Sequence, residues 1–133
     1  MIPRVLIFED NDLLRSTLKN ILVSNGFEVH TFSNPGVCPE CFSSNHNCSL
    51  DNSCSDIIIS DVNMPVETGL EYIKNRLDRG CKIKFRALMS ADWTRSDLQN
   101  AKSLGCKVFH KPFDLEDFLA WLDSCRERIN TIL

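Results

Sequence analysis

The chain has 133 residues and a formal net charge of −3, from 15 Lys and Arg against 18 Asp and Glu. This length suits one domain with its own core, so we expect a single domain over residues 1–133. The mildly acidic balance argues against nucleic acid or an anionic membrane as a direct partner. No apolar run approaches the about 20 residues that span a bilayer. The N-terminus reaches acidic residues too early for a signal peptide, and we expect a cytoplasmic protein.

The first three predicted elements are a strand, a helix and a strand. Residues 5–8 form an uninterrupted apolar run, which is typical of a buried strand in a parallel sheet. Residues 12–24 carry apolar side chains at helical spacing, and Asn25-Gly26 is a common helix stop. Residues 27–32 alternate apolar and polar side chains, which indicates a half-covered or edge strand.

Residues 33–56 interrupt this alternation of strands and helices. The segment is rich in Ser, Asn, Pro and Cys and lacks apolar periodicity, so we expect the second helix to be replaced or remodelled there. Four of the seven cysteines lie in it, and their spacing predicts a structural Zn²⁺ site made of Cys38, Cys41, Cys48 and Cys54, with His46 as an alternative ligand. Disulfides and free thiols stay open as alternatives. The scattered Cys81, Cys106 and Cys125 are interpreted as small apolar residues.

The second half of the chain resumes the alternation. Residues 57–60 are the most apolar short run and predict the central strand, which ends at Asp61. The elements predicted after it are a helix around residues 70–77 that ends at Gly80, a strand at 83–89, a helix at 94–104, a short strand at 106–109 and a last helix capped by Asp114. The chain ends soon after that helix, so we expect either a protein that acts alone or a piece of a longer one.

Polar residues follow the predicted strands at their carboxyl ends, where open α/β sheets bind ligands. Glu9 and Asp10 follow the first strand, and the other residues of this group are Asp61, Ser90 and Lys111. Three carboxylates in one crevice repel each other unless a cation neutralises them, and oxygen ligands suit Mg²⁺. Asp61 as nucleophile, Lys111 and Mg²⁺ as counter-charges and Ser90 as a donor would supply what phosphoryl transfer needs.

The following motifs, in this order, resemble the signature of response regulator receiver domains, over almost the whole chain. They are the pair Glu9-Asp10, the stretch that begins Asp61-Val62-Asn63-Met64-Pro65, the Thr68-Gly69 that completes it, Ser90-Ala91 and Lys111-Pro112. The resemblance implies that Asp61 is the phospho-acceptor and that Asp10 and Asp61 are Mg²⁺ ligands. By the same resemblance Glu9 would act on the metal largely through water, and Asn63 would offer its backbone carbonyl.

The resemblance also implies a fold, a switch and partners. The fold would be a doubly wound five-stranded parallel sheet of order 2-1-3-4-5 with helices on both faces. Ser90 would move toward the phosphoryl group, Phe109 would turn inward, and the readout surface would be the family's fourth helix, fifth strand and fifth helix. A sensor histidine kinase or phosphotransfer protein would supply the phosphoryl group and an effector protein would read it; a homodimer could use the same surface. Trp93 and Trp121 are candidates for partner contact.

Two alternatives differ in class. One is a phosphorylation-independent interaction module in which the Cys-rich segment is the sensor. The other is a phosphatase with an aspartyl intermediate, which is less favoured because Asn63 stands where a second carboxylate would act as general acid. In the favoured reading the chain catalyses only its own phosphorylation and dephosphorylation.

Overall fold

The computed structural model of the protein describes residues 2–34, 55–65 and 67–132. Strands and helices alternate within residues 2–34 and again within residues 55–132. Their bounds are β1 (Arg4–Phe8), α1 (Asp12–Ser24), β2 (Glu28–Phe32), β3 (Ile57–Asp61), α2 (Gly69–Asp78), β4 (Phe85–Ser90), α3 (Arg95–Ser103), β5 (Lys107–His110) and α4 (Leu115–Ile132). Within the described ranges, no helix is both long and apolar enough to cross a membrane.

All five strands are parallel, and their order across the sheet is β2-β1-β3-β4-β5. The predicted fold class and strand order are therefore confirmed. The chain moves from β1 outward to β2 and then returns to pair β3 on the other side of β1. The strand order thus reverses between β1 and β3, and ligands of open α/β sheets bind beyond the carboxyl ends at this position.

The core lies on both faces of the sheet. Val5 and Ile7 of β1 face one cluster, which contains buried residues of α1 and α4. Leu6 and Phe8 face the other cluster, which contains buried residues of α2 and α3. Because both faces of the central strands are covered, apolar side chains are favoured at successive positions, which explains the uninterrupted apolar runs in β1 and at the start of β3.

Polar side chains begin the first three helices. Asn11 Oδ1 accepts the backbone N–H of Leu14 at the start of α1. Thr68 and Glu71 form a reciprocal capping box at the start of α2, and Thr94 accepts the N–H of Asp97 at the start of α3. Each cap pairs a backbone donor that has no partner inside its helix. The helix starts are thus fixed by local sequence.

The predicted fourth strand is wrong at its beginning. It was expected from residue 83, but β4 begins at Phe85 and Ile83 lies outside it, fully packed in the core. Arg86 explains the difference, because its guanidinium reaches back to the Ile83 carbonyl at 2.7 Å and also donates twice to the Leu104 carbonyl at 3.0 and 3.2 Å. Arg86 is therefore half-buried and links two loops.

The core face of α3 is narrower than the sequence predicts. Leu98 and Ala101 have the helical spacing of one core face, but Leu98 is 37% exposed. Ala101 is fully buried, and the small side chain lets this helix lie close to the sheet. The helical spacing indicated the helix correctly but not how much of its apolar stripe would be covered.

The Cys-rich segment falls almost wholly at residues 35–54, which lie outside the described residues. The replacement of a helix there and the site made of Cys38, Cys41, Cys48 and Cys54, with His46 as alternate, therefore stay predictions. The described residues on either side are anchored to the sheet: the Phe32 carbonyl accepts the Glu9 N–H at 3.0 Å, and the Asp56 N–H donates to the Arg4 carbonyl at 3.0 Å. The chain leaves at the carboxyl edge of the sheet and returns at its amino edge.

The remaining cysteines pack as apolar residues. Cys125 is buried in the core, and Cys81 and Cys106 are half-buried against it. Burial raises the pKa of Cys106 to about 11 and the pKa of Cys125 to about 12. These two thiols therefore stay protonated near neutral pH, as expected for small apolar residues.

Candidate functional site

The sheet brings the predicted site residues to one edge. Phe8 pairs with Ser60 across β1 and β3, so that the residues that follow, Glu9 and Asp61, lie side by side at the carboxyl ends. Ser90 ends β4, the next strand, and Lys111 directly follows β5. The pairing register alone therefore gathers residues that are about 100 positions apart in the chain.

Three carboxylates form the acidic part of the site. One oxygen from each of Glu9, Asp10 and Asp61 lies within 4.8 Å of the others. Glu9 is 1% exposed and Asp61 is 5% exposed, whereas Asp10 is open to solvent. Two of the three carboxylates are thus withdrawn from water.

Lys111 is the cation at this cluster. Its Nζ lies 2.9 Å from Glu9 Oε2 and 3.2 Å from Asp61 Oδ2. Burial raises the pKa of both Glu9 and Asp61 above their ordinary values, although contact with Lys111 works in the opposite direction. Burial acts to lower the pKa of Lys111, but its contacts with the two carboxylates outweigh this and raise it.

The donor set fits a divalent cation. Three ionised carboxylates against one ammonium leave the cluster with an excess of negative charge, and the raised pKa values of Glu9 and Asp61 show that ionisation is opposed. All the donors are oxygens, and one of the carboxylates faces solvent, which suits an ion that keeps several of its waters. Mg²⁺ matches this arrangement better than a metal that prefers thiolate or imidazole.

Backbone N–H groups hold both buried carboxylates in place. Asn63 N–H donates to Asp61 Oδ1 at 3.2 Å, and Asn11 N–H donates to Glu9 Oε1 at 3.2 Å. In each case a carboxylate accepts from the backbone two residues further on, a turn that acidic side chains favour. The carbonyl of Asn63 as a metal ligand stays a prediction.

The Ser90 hydroxyl is buried beside the acidic cluster. Its Oγ accepts the Asp92 N–H at 3.0 Å and lies 3.4 Å from the side-chain nitrogen of Asn63. The Ser90 carbonyl accepts the Lys111 N–H at 2.8 Å, which ties this strand end to the ammonium-bearing residue. Ser90 therefore bridges the loop after β3, the loop after β4 and the end of β5.

Phe109 lies in β5, two residues before Lys111. Its ring is 5% exposed and packs against Phe113, Phe118 and Trp121, with ring centroids 6.1, 5.1 and 5.8 Å away. A groove of about 650 Å³ runs along these rings between β5 and α4. We call it the β5–α4 groove; residues that line it include Val108, Phe109, Phe113, Asp117 and Trp121.

The sequence reasoning missed Arg15 near the site and the packing role of Gly69. Arg15 donates to the Glu9 carbonyl at 2.8 Å and pairs with Asp12 at 2.6 Å. The Asp12-x-x-Arg15 spacing on a helix was the signal that could have indicated this pair. Gly69 packs directly on the Asp61 carbonyl, where a Cβ would come within 2.3 Å.

Trp93, expected to contact partners, is half-buried. Its indole N–H donates to the Phe109 carbonyl at 2.9 Å. No sequence spacing indicated that contact.

Comparison with known proteins gives a consistent result. A family model described as the response regulator receiver domain matches residues 5–123. The chain is 28% identical over 120 residues to the regulatory protein AtoC of Escherichia coli (strain K12), which is 87% of this chain and 23% of AtoC. It is 26% identical over 125 residues to the virulence transcriptional regulatory protein PhoP of Salmonella typhimurium (strain 14028s / SGSC 2262), which is 94% of this chain and 52% of PhoP.

Among solved structures, the Vibrio cholerae chemotaxis protein CheY4 superposes with a TM-score of 0.74 at 28% identity, covering 94% of this chain and 99% of that one. The chain spans about half of PhoP and less than a quarter of AtoC.

Proposed function

This chain belongs to the family of response regulator receiver domains, and from that membership we propose that it accepts a phosphoryl group on Asp61 with the help of Mg²⁺. The observation that carries the proposal is the position of Asp61 itself. It ends the central strand, is almost fully buried and lies within reach of Lys111 and two further carboxylates. A nucleophile, a counter-charge and a set of metal donors therefore meet at one point.

Each residue has a chemical task in this proposal. An Asp61 carboxylate oxygen attacks phosphorus, the bond from phosphorus to the donor breaks, and the donor leaves with the electron pair. Lys111, 3.2 Å from Asp61, offsets negative charge on the phosphoryl oxygens, and the buried Ser90 hydroxyl donates a hydrogen bond to one of them. Mg²⁺, when held by Glu9, Asp10 and Asp61, neutralises their charge and that of the incoming phosphate.

We expect the phosphoryl group to come from a histidine kinase or phosphotransfer protein and an effector protein to read it. The proposed readout surface consists of α3, β5 and α4 and contains the β5–α4 groove. The groove joins aromatic rings with the carboxylate of Asp117, so that a partner segment could combine apolar and basic residues there. A homodimer through the same surface is a further proposal.

Intact mass after incubation with acetyl phosphate tests the proposed function. In MgCl₂ we expect an adduct of about 80 Da, the mass of one phosphoryl group, and in EDTA we expect none. The Asp61→Asn variant should acquire no adduct. Its matched control is Asp56→Asn, which changes the aspartate directly before β3 and should keep the adduct. Absence of the adduct under all conditions, or an adduct indifferent to Mg²⁺, would contradict the proposal.

A second candidate function rests on the cysteine spacing. If the Cys-rich segment is the sensor of a phosphorylation-independent module, the wild type should carry about one structural zinc per chain, held by four thiolates. We expect the Cys38→Ser/Cys41→Ser variant to lose it and Cys81→Ser to retain it, as measured by elemental mass spectrometry on purified protein. Equal metal content in all three proteins would refute the zinc site.

A further inference from the structure

Trp93 lies in the loop that leads from Ser90 to α3, and its side chain is bound to the neighbouring strand. Its indole N–H donates to the Phe109 carbonyl at 2.9 Å. Its ring also meets the His110 ring edge-on, with centroids 6.3 Å apart. Trp93, in the loop after Ser90, is thus hydrogen-bonded to the backbone of β5.

We propose that Trp93 is a positioning residue that restrains the loop after Ser90 in its unphosphorylated arrangement, and that its hydrogen bond to Phe109 breaks when Ser90 turns toward the phosphoryl group. This inference rests on the proposed function, because it takes Asp61 as the phosphorylated residue. In this proposal the Trp93–Phe109 hydrogen bond, which we call the latch, connects the acidic site with the β5–α4 groove.

The Ser90 hydroxyl acts as an acceptor toward the loop, which leaves its O–H available to donate to a phosphoryl oxygen. Its Oγ accepts the Asp92 N–H at 3.0 Å and lies 3.4 Å from the Asn63 amide nitrogen. A side-chain rotation that carries Ser90 Oγ toward a phosphoryl group on Asp61 also carries it away from the Asp92 N–H, which then loses its acceptor. Asp92 directly precedes Trp93, so a rearrangement at one residue displaces the other.

The acceptor of the Trp93 hydrogen bond is held in place. Phe109 pairs with Met89 in the sheet, and its ring is enclosed by three other aromatic rings, the nearest being that of Phe118 at 5.1 Å. A loop that moves against a fixed carbonyl loses the hydrogen bond. An interaction present in only one of two states shifts the equilibrium toward that state, so the bond favours the unphosphorylated one.

The Trp93→Phe variant separates this role from simple packing, because it keeps an aromatic ring and removes the N–H. We expect it to bind the phosphoryl analogue beryllofluoride about fivefold more tightly than the wild type in saturating Mg²⁺, since one net hydrogen bond no longer opposes the switch. Isothermal titration calorimetry measures both affinities. A residue with only a structural role would weaken binding or leave it unchanged, and either result would overturn the inference.

The control is Trp121→Phe, which removes the other indole of the chain. Trp121 contacts the Phe109 ring but lies on α4 and not in the loop. We expect its beryllofluoride affinity to match that of the wild type. An equal gain in both variants would also overturn the inference, because the effect would then belong to the loss of any indole.

A second measurement needs no substitution at Trp93. In the wild type, the indole N–H of Trp93 should exchange slowly with solvent, and beryllofluoride with Mg²⁺ should accelerate the exchange at least tenfold as the hydrogen bond opens. Proton NMR records the two indole signals, and Trp121→Phe assigns them. Unchanged exchange would overturn the latch. If the wild type binds no beryllofluoride at all, the proposed function fails; if it binds and Trp93→Phe gains nothing, only the latch fails.

Discussion

An Asp61→Asn variant is expected to lose the phosphoryl adduct completely and, in EDTA at pH 7, to be more stable than the wild type. The amide is not a nucleophile toward phosphorus, but its oxygen can still accept the Asn63 N–H that holds Asp61. Lys111 keeps a second partner in Glu9, so the substitution leaves no buried ammonium without a counter-charge. Intact mass after acetyl phosphate treatment and urea unfolding of the same samples measure the two effects.

The stability gain follows from the direction of the pKa shift. Burial raises the pKa of Asp61, so from about pH 4, near the ordinary aspartate value, up to the raised value the folded chain binds more protons than the unfolded chain. Stability therefore falls as pH rises through this interval. We expect Asp61→Asn to be more stable than the wild type at neutral pH, and the difference to shrink as the pH falls toward about 4, where the carboxyl becomes protonated in the unfolded chain as well.

Two further measurements test the predictions for Asp61→Asn. Asp56→Asn, directly before β3, should keep the adduct. Mg²⁺ should stabilise the wild type and not Asp61→Asn, since a ligand that binds only the folded state raises stability. If Asp61→Asn still acquires the adduct, the phospho-acceptor is another residue. If Asp61→Asn is less stable than the wild type at pH 7, the raised pKa of Asp61 is contradicted.

The sheet and the position of the site could be predicted because both depend on short-range patterns. The runs at β1 and β3 are apolar at successive positions because both of their faces are covered. Once those strands are located, the rule that ligands bind at carboxyl ends selects Glu9 and Asp61 without any knowledge of side-chain contacts. Helix α1 could be predicted for the same reason, because its cap Asn11 accepts a backbone N–H only three residues further along the chain.

Some contacts could not be predicted from the sequence, because they join long side chains to backbone groups in distant loops. Arg86 binds the Leu104 carbonyl and Trp93 binds the Phe109 carbonyl, across 18 and 16 positions. A carbonyl carries no sequence signature, so the acceptor of such a bond becomes known only when the loop conformation is known. The same reason explains why β4 begins two residues later than its apolar alternation predicts: Arg86 bends back onto Ile83.

The Gly69→Ala substitution is expected to cause the largest loss of stability of any single methyl addition at the site. A Cβ at Gly69 would lie 2.3 Å from the Asp61 carbonyl oxygen and 2.9 Å from Ser60 Oγ and Leu88 Cδ2. The Leu88 methyl can rotate away, but the Asp61 carbonyl is backbone at the end of the central strand. Either that strand end or the start of α2 must shift.

We expect Gly69→Ala to cost about 3 kcal/mol, the upper part of the range for overpacking, and to slow phosphorylation by acetyl phosphate at least tenfold, because the strand end that shifts carries Asp61. Gly26→Ala is the matched control, since Gly26 has a left-handed φ of +88° but its Cβ would meet nothing closer than 3.6 Å. That variant should lose about 1 kcal/mol through backbone strain and phosphorylate at the wild-type rate. Urea unfolding and mass-detected phosphorylation, both at a temperature where all three proteins are folded, separate a displaced Asp61 from a general loss of stability. Equal phosphorylation rates in the two variants would show that the close approach of Gly69 serves packing alone.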